Sequence, residues 1–508
     1  MQSRVHRSSD VPVQAPIGGL NTRDAFDDIP ATDAIILDNW IPGLGAVEVR
    51  GGKTVFCDSS DIPSHEIGIV ETLMTYDATA VKKLIASDGP SVYDTNDGAP
   101  IILGDGFGSS RWSWTNFEGY LIMVNGDSND APQEYDGATL QPLNPPLEPA
   151  LNPIGCHAFK NRMYYWENAS QDVWYTELYA RGGDCNRFQL SRLTKFGGDL
   201  LAMATWTHDG GTGPDDHLVF IMTSGEVLVY QGSSPASISN WALVGIYYIG
   251  TPLGDRCVAK FGGDLLIVTA LDVVSLSDII KGPEALAKRS KAAGAFEEVA
   301  EFAGSPFFDI TMFPKKKLGI FNVPAPGGKQ TYQYVQNMVT GAWCRFTGWD
   351  AFSWAVIDDD IYFGGTDGIV YRAFDGFVDE YMNGKVIESS AIFTHLQTAW
   401  LNFGSPMNKA FHAIKPIMQA SGVVSLNAAF ATDFAPFSNV ETPSPPSTVG
   451  TPWGSPWGSP WGISIGVSED WEIIEGYGRW ISMQAKTAST SPLRLASTIW
   501  HIEAGSAM

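Results

Sequence analysis

KFGGDLLAMATW (195–206) and KFGGDLLIVTAL (260–271) open with the same seven residues, 65 positions apart. In both, a Gly pair and an Asp precede an apolar run, the composition of a turn that leads into a buried strand. Looser relatives are FEGYLIMVNG (117–126), FKNRMYYWEN (159–168) and IDDDIYFGGTDG (357–368). A second strand follows after another bend in HLVFIMTSGEVLVYQG (217–232), IYFGGTDGIVYRAFDG (361–376) and KKLIASDGPSVYDTNDG (82–98), with SG or DG at the bend as a tight hairpin requires. Units of this kind start near 82, 117, 159, 217, 260, 317 and 357. A lone four-stranded sheet leaves a face unburied, whereas a ring of such sheets buries each against its neighbours. The expectation is a mostly β chain whose body, residues 61–384, is a β-propeller of six to eight blades. Two ordinary β-sandwiches with chance similarity are the rival reading, because one exact pair does not count blades.

Composition agrees with a β-rich chain. Of 508 residues, 44% are hydrophobic and 12% aromatic, with Gly at 53 and Pro at 31, which favours short strands joined by turns over long helices or disorder. The formal net charge is −24, from 32 basic and 56 acidic residues, so no basic stripe is available to replace the counterions of a tightly held nucleic acid. Cys57, Cys156, Cys185, Cys257 and Cys344 are scattered with no CxxC pair, which suggests reduced, packed thiols and a cytoplasmic place of synthesis. The opening MQSRVHRSSDVPVQAP has no apolar core and no apolar run of transmembrane length occurs, so neither a secretion signal nor a membrane span is expected.

Outside the propeller the texture changes. Residues 1–22 read as an extended arm that gains order by lying on something, within an N-terminal region of 1–60. In DIPATDAIILDNWIPGLGAVEVRGG (28–52) the middle suits a short helix before Pro42, and GAVEVRGG a strand. GPEALAKRSKAAGAFEEVAEF (282–302) suits a helical insert interrupted near Gly294. Runs at 386–397, 412–419, 423–432, 479–487 and 493–503 suggest a C-terminal β-sandwich over 385–508. Its long Pro/Gly/Trp-rich loop, 436–466, includes TPWGSPWGSPWG (451–462). There Pro fixes φ before each Trp and Gly permits a turn after it. Trp453, Trp457 and Trp461 are therefore candidates either for clipping the loop onto its own sandwich or for an assembly or gate contact.

Catalytic constellations are sparse. GxSxG, HExxH, GxxxxGK[ST] and the Gly-rich dinucleotide fingerprint are all missing. Acidic clusters are present at Asp27-Asp28, at Asp215-Asp216 and at Asp358-Asp359-Asp360, and a glycosidase needs two carboxylates flanking a sugar. Asp358–Asp360, however, occupies the place that Gly-Gly-Asp holds in the repeat, which is a turn. NGDSNDAP (125–132) and DTNDG (94–98) crowd oxygen ligands without EF-hand spacing. No catalytic residue, cofactor or metal is assigned, and the chain is expected not to be an enzyme.

The N-terminal segment carries a resemblance. APIGGLNTRDAFDDIPATDAIILDNWIPGLGAVEVRGG (15–52) resembles the opening of a group of tailed-phage structural proteins, with GGLNTRD, then PxxDAxxLDNWxP, then a strand ending in R-G. LQTAWLNFGSPMNKAFHAIKP (396–416) and GRWISMQAKTASTSPLRLASTIWHIEAGS (478–506) are similar to later strands of the same group. The resemblance implies a podovirus-type tail nozzle, also called a tail tube or packaged-DNA stabilisation protein. It implies a β-propeller body and a hexameric ring below portal and adaptor. Such a protein is a structural part of the bacteriophage virion, assembled in the host bacterial cytoplasm. It retains packaged genome and lets double-stranded DNA pass through its channel at genome ejection without stable nucleic-acid binding. Implied partners are further copies of itself, the head-to-tail adaptor and, as an additional candidate, tail fibres. The alternative is a receptor- or glycan-binding tail component, with propeller glycosidase chemistry as its strongest form.

Overall fold

The computed structural model describes residues 8–504 except 64, 66–67, 79–80, 210–213, 238, 283–288, 326–329, 422–424, 445–465 and 469–470. These residues form two compact units. One comprises residues 55–333 and 348–372, and the other 1–54, 334–347 and 373–508. Strands dominate both, and among the described residues no helix is long and apolar enough to cross a membrane.

The first unit is a β-propeller of seven small, mainly antiparallel strand groups in chain order, here called sheets one to seven; the first five are separate sheets and the last two are parts of one larger sheet. Their first strands are Val70–Ala78, Ser113–Phe117, Pro153–Phe159, Leu200–Asp209, Val258–Phe261, Asp309–Phe313 and Ala351–Ile357. Each first strand packs against that of the next sheet, and the seventh packs against the first, so these strands form a closed inner ring. The last sheet is completed from the other end of the unit, since strand Lys53–Asp58 pairs beside Ile369–Ala373. Ser353 Oγ donates to the Val70 carbonyl (2.8 Å) at the junction of sheets seven and one.

Closure gives every sheet a neighbour on each face, and the cores lie between sheets. Tyr164, Trp166 and Tyr175 of sheet three pack with Leu218, Phe220 and Tyr230 of sheet four. Val70, Leu84 and Tyr93 of sheet one pack with Ala355, Tyr362 and Val370 of sheet seven. Each large apolar side chain buried in this way contributes roughly 1.5–3 kcal/mol.

The seven unit starts read from the sequence fall at or close to the hairpin that joins the first and second strand of each sheet. In FEGY the turn residues Glu118 and Gly119 have φ of 50° and 79°, in FKNR Lys160 and Asn161 have 42° and 61°, and in IDDD Asp358 and Asp359 have 49° and 66°. Two positive φ values in a two-residue loop are the signature of the turn whose twist matches a hairpin. The KFGG pair behaves differently from its relatives. Gly262-Gly263 makes this first hairpin in sheet five, between Val258–Phe261 and Asp264–Val268. Lys195–Asp199 instead lies in the connection that precedes the inner strand of sheet four. The two identical heptapeptides thus hold non-equivalent positions, and the looser relatives mark the repeat more faithfully.

One local expectation is corrected and one is made more exact. The 28–52 segment forms strands Asp33–Asp38 and Trp40–Pro42 where a short helix was expected, because Ala34, Leu37 and Trp40 are buried in sheets. In the 282–302 insert, residues 283–288 lie outside the described residues, 289–292 are not helical, and Gly294 falls in the first turn of Ala293–Val299, whose Phe296 and Val299 are buried, so the break comes just before Gly294.

The second unit is a two-sheet β structure. One sheet centres on the pair Lys409–Ala420 and Leu493–Ala504, the other on Ser425–Thr432, Ile481–Ser489 and Val386–Thr398. The N-terminal arm finds its partner in its own chain, as Ser8–Gln14 pairs antiparallel with the final strand, from Ser8 opposite Glu503 to Gln14 opposite Ser497.

The residues of the LDNW and RGG motifs form one buried network within this unit. Arg50 is 1% exposed. Its guanidinium donates bidentately to Asp379 (2.9 and 2.7 Å), to Asn39 Oδ1 (2.9 Å) and to the carbonyls of Gly51 and Thr347 (2.9 and 3.2 Å). Asn39, at φ 61°, donates to the Phe393 carbonyl (2.7 Å), and Asp38 pairs with Arg345 (2.8 and 2.9 Å). Gly52 is required by close approach, since a Cβ there would lie 1.9 Å from the Val378 carbonyl oxygen.

Arg50→Met removes the bidentate partner of the buried Asp379 carboxylate, and a loss of about 3–5 kcal/mol is expected in denaturant unfolding of this unit. Replacing Asp358-Asp359 by Asn-Gly keeps the turn conformation and is expected to leave stability within about 0.5 kcal/mol in the same assay.

Candidate functional site

The inner ring encloses an axial cavity of about 640 Å³ to which all seven sheets contribute. Its wall includes Leu73 and Thr75, Arg111 to Trp114, Ile154, Leu201, Asp255 and Arg256, Asp309 to Thr311, and Trp354 to Val356. The volume lies within the ~300–1,000 Å³ range of small-molecule sites. Duplex DNA, whose major groove alone is about 12 Å wide, does not thread such a space.

Two arginines cross the axis. Arg256, at the start of sheet five, donates to the Glu71 carbonyl (2.9 Å) and Thr72 Oγ1 (2.8 Å) of sheet one, and to the Trp112 carbonyl (3.1 Å) beside sheet two. Arg111 runs the other way, pairing through Nη2 and Nε with Asp255 and donating from Nη1 to the Pro306 carbonyl (3.0 Å). In a seven-membered ring, sheet five stands opposite sheets one and two, so these side chains are spokes across the diameter. Burial acts to raise the Asp255 carboxyl, but the Arg111 guanidinium outweighs it and leaves the pKa below 3.8. The Asp255 side chain is 48% exposed, so it stands at an open part of the wall. Asp309 is buried more deeply, and desolvation raises it above 3.8 against the pull of Arg256. It accepts the Trp354 backbone N–H (3.2 Å).

The acidic clusters singled out in the sequence are not brought together. Asp358 and Asp359 are exposed turn residues of sheet seven. Asp358 pairs with Lys82 of sheet one (3.3 Å), a contact open to solvent and so of small energetic weight. Asp360 begins the next strand and is held by Arg372 (2.6 Å) and Lys315 (3.1 Å). Asp215 and Asp216 lie in Pro214–Met222 of sheet four, where Asp216 accepts from Thr207 Oγ1 (2.8 Å). Trp453, Trp457 and Trp461 lie outside the described residues. The oxygen-rich loop 125–132 is occupied by its own turns, with Asp127 accepting from the Asn129 backbone (2.8 Å) and Asp130 from Asn125 Nδ2 (2.6 Å).

One set has the residue types of a hydrolase triad. His65 contacts Asp88 (2.9 Å) and Ser91 Oγ (3.3 Å). The Ser91 hydroxyl, however, donates to Asp105 (2.9 Å), and the His65 and Asp88 side chains are 2% and 0% exposed. Buried in this way, the set ties the loop before sheet one to its second hairpin. The thiols of Cys57, Cys156 and Cys257 are lifted to about 12 by burial, which removes them as nucleophiles at neutral pH.

Sequence reasoning missed the axial residues Arg111, Asp255, Arg256 and Asp309. Their signal was positional, as each stands just before or at the start of an inner strand.

Deeper in the ring, His157 Nε2 meets Thr205 Oγ1 (2.9 Å), joining the inner strands of sheets three and four. Burial lowers this imidazole from 6.5 to about 4. Above pH 6.5 both folded and unfolded states carry the neutral ring. Between 6.5 and about 4 the unfolded chain takes up a proton that the folded one refuses, so stability falls as pH falls across that window, by at most about 1.4 kcal/mol per pH unit. Thermal melts from pH 7 to 4 are expected to show this slope in the wild type and a shallower one in His157→Gln. Parallel curves would show that His157 does not carry it.

No protein-family model matches the chain, and no curated protein matches it. Among solved structures, the computationally designed Ika8 protein is similar over 66% of this chain and 96% of its own, with TM-score 0.37 and 10% identity. The β-propeller domain of Cps50 (Swd1) from Myceliophteria thermophila is similar over 63% of this chain and 99% of its own, with TM-score 0.37 and 9% identity. Exo-β-1,3-galactanase from Phanerochaete chrysosporium is similar over 89% and 99%, with TM-score 0.27 and 11% identity. At these scores the likenesses bear on neither activity nor ligand.

Proposed function

We propose that the chain is a structural virion protein of a short-tailed phage, the tail nozzle at the distal part of the DNA channel. The observation that carries this reading is the use of the N-terminal motif. The residues of LDNW and RGG that resemble the nozzle group are spent on the buried Asp38–Asn39–Arg50 network. Residues committed in this way define a fold, which is what a structural family would retain.

The axial cavity of a single propeller is too small for a duplex, so the DNA channel is the space between subunits of a ring, with a hexamer as the proposed assembly. A formal charge of −24 per copy then surrounds the DNA with repulsive walls, and genome slides without a deep electrostatic minimum. The head-to-tail adaptor is the proposed axial partner and the virion the proposed location, with tail fibres as a further candidate partner.

Electron microscopy of virions bearing a tagged copy of the protein is expected to place the tag at the distal tail in a six-fold ring, and purified protein is expected not to retain duplex DNA at low salt. A tag located on the capsid or absent from the particle, or salt-sensitive DNA binding, overturns the reading.

A further inference from the structure

The axial cavity has three properties that a water-filled gap between sheets does not require. Its charges are balanced locally. Arg111 is paired with Asp255, and Arg256 is fixed by two carbonyls and a hydroxyl while its field acts on Asp309. No cationic excess is left for a phosphate or a carboxylate. Its wall mixes hydrogen-bonding groups, among them Thr75, Ser113, Asn168, Asp309 and Thr311, with apolar patches from Leu73, Ile154, Val258 and Ile310. An aromatic face is available as well, because Trp114 lines the cavity and is only partly buried.

A balanced field, alternating polar and apolar wall and an indole face fit a ligand that is uncharged, rich in hydroxyls and apolar on one side. A sugar ring has these features, since its hydroxyls exchange hydrogen bonds with carboxylate and threonine oxygens while its C–H face lies on an aromatic ring. We propose that the axial cavity of the seven-sheet ring binds a neutral saccharide of one or two rings, with Asp309, Thr311 and Thr75 as hydrogen-bonding partners and Trp114 as the platform. Asn168 and Asp255 are exposed, so the cavity opens to solvent on the side where the Arg111–Asp255 pair stands, and the ligand enters there. The site lies within the propeller unit and stands apart from the nozzle reading.

Saturation-transfer NMR and titration calorimetry on the full chain, with glucose, galactose, N-acetylglucosamine, lactose and maltose as probes and inorganic phosphate and citrate as anionic controls, test the site. At least one saccharide is expected to bind saturably at millimolar concentration, with neither anion competing. Asp309→Asn keeps an oxygen for the Trp354 N–H, and Thr311→Val keeps the shape of the side chain. Each is expected to weaken binding about tenfold, as is Trp114→Ala, while Leu178→Ser, at an exposed residue outside the cavity wall, leaves it unchanged. Thermal melts identify any variant that has lost its fold, and the isosteric Asp309 and Thr311 changes then decide. Absence of saturable transfer from every saccharide, competition by phosphate or citrate, or folded Asp309 and Thr311 variants with wild-type affinity each overturn the assignment.

Discussion

One guanidinium touches all three chain stretches that build the unit carrying both ends of the chain. Arg50 belongs to the first stretch, the Thr347 carbonyl it binds to the second, and Asp379 to the third. Asn39 repeats the pattern, donating to Thr347 Oγ1 (3.1 Å) and to the Phe393 carbonyl. A buried arginine is costly unless every N–H finds an acceptor and its charge a counter-ion. Here the acceptors come from segments roughly 300 residues apart in sequence, so the network is satisfied only when all three stretches are in place. That requirement makes the unit a single cooperative object despite its broken chain path.

The propeller obeys a different constraint, set by apolar faces. Each small sheet is apolar on both sides, and a linear stack would leave two faces open at its ends. Closure removes those ends, with Ala351–Ile357 against Val70–Ala78 and strand Lys53–Asp58 completing the last sheet. The polar seam contacts between Ser353 and Val70, and between His157 and Thr205, serve orientation more than stability. Arg111 and Arg256 add a second circular restraint by tying opposite sides of the ring across its axis.

Legibility followed locality. Hairpin turns are short-range chemistry, so the units near 82, 117, 159, 217, 260, 317 and 357 were readable, and they coincide with seven sheets. Exact identity proved a poorer guide than conformational demand. Phe117–Tyr120, Phe159–Arg162 and Ile357–Asp360 share little sequence yet make one turn, whereas Lys195–Asp199 and Lys260–Asp264 share every residue and serve different connections. A Gly pair tolerates many backbone states, so it records permission to turn and not the turn made. The helix expected before Pro42 failed for the opposite reason. DAIILD suits a helix locally, but Asp38 and Asn39 are claimed by partners in the two distant stretches and Trp40 is buried, and tertiary pairing overrides propensity.

The axial residues were illegible because their meaning arises only when the ring closes. In sequence, Arg111, Asp255, Arg256 and Asp309 are isolated charges between apolar runs, and each resembles a solvated strand end. Closure turns the same positions inward, where water is scarce and charges must be met by one another. The outcome is visible in their opposite shifts, since Asp255 is held low beside Arg111 while Asp309 is raised by desolvation. Two carboxylates driven apart in this way share one cavity without a common role. Asp255 is committed to Arg111 and keeps the spoke in place. Asp309 gives one oxygen to the Trp354 N–H and has lone-pair capacity left on the cavity side of the ring. A ring closed for the sake of its apolar faces therefore creates, as a geometric consequence, one concave place lined from all seven sheets, where polar groups of sheets one, two, three, five and six converge.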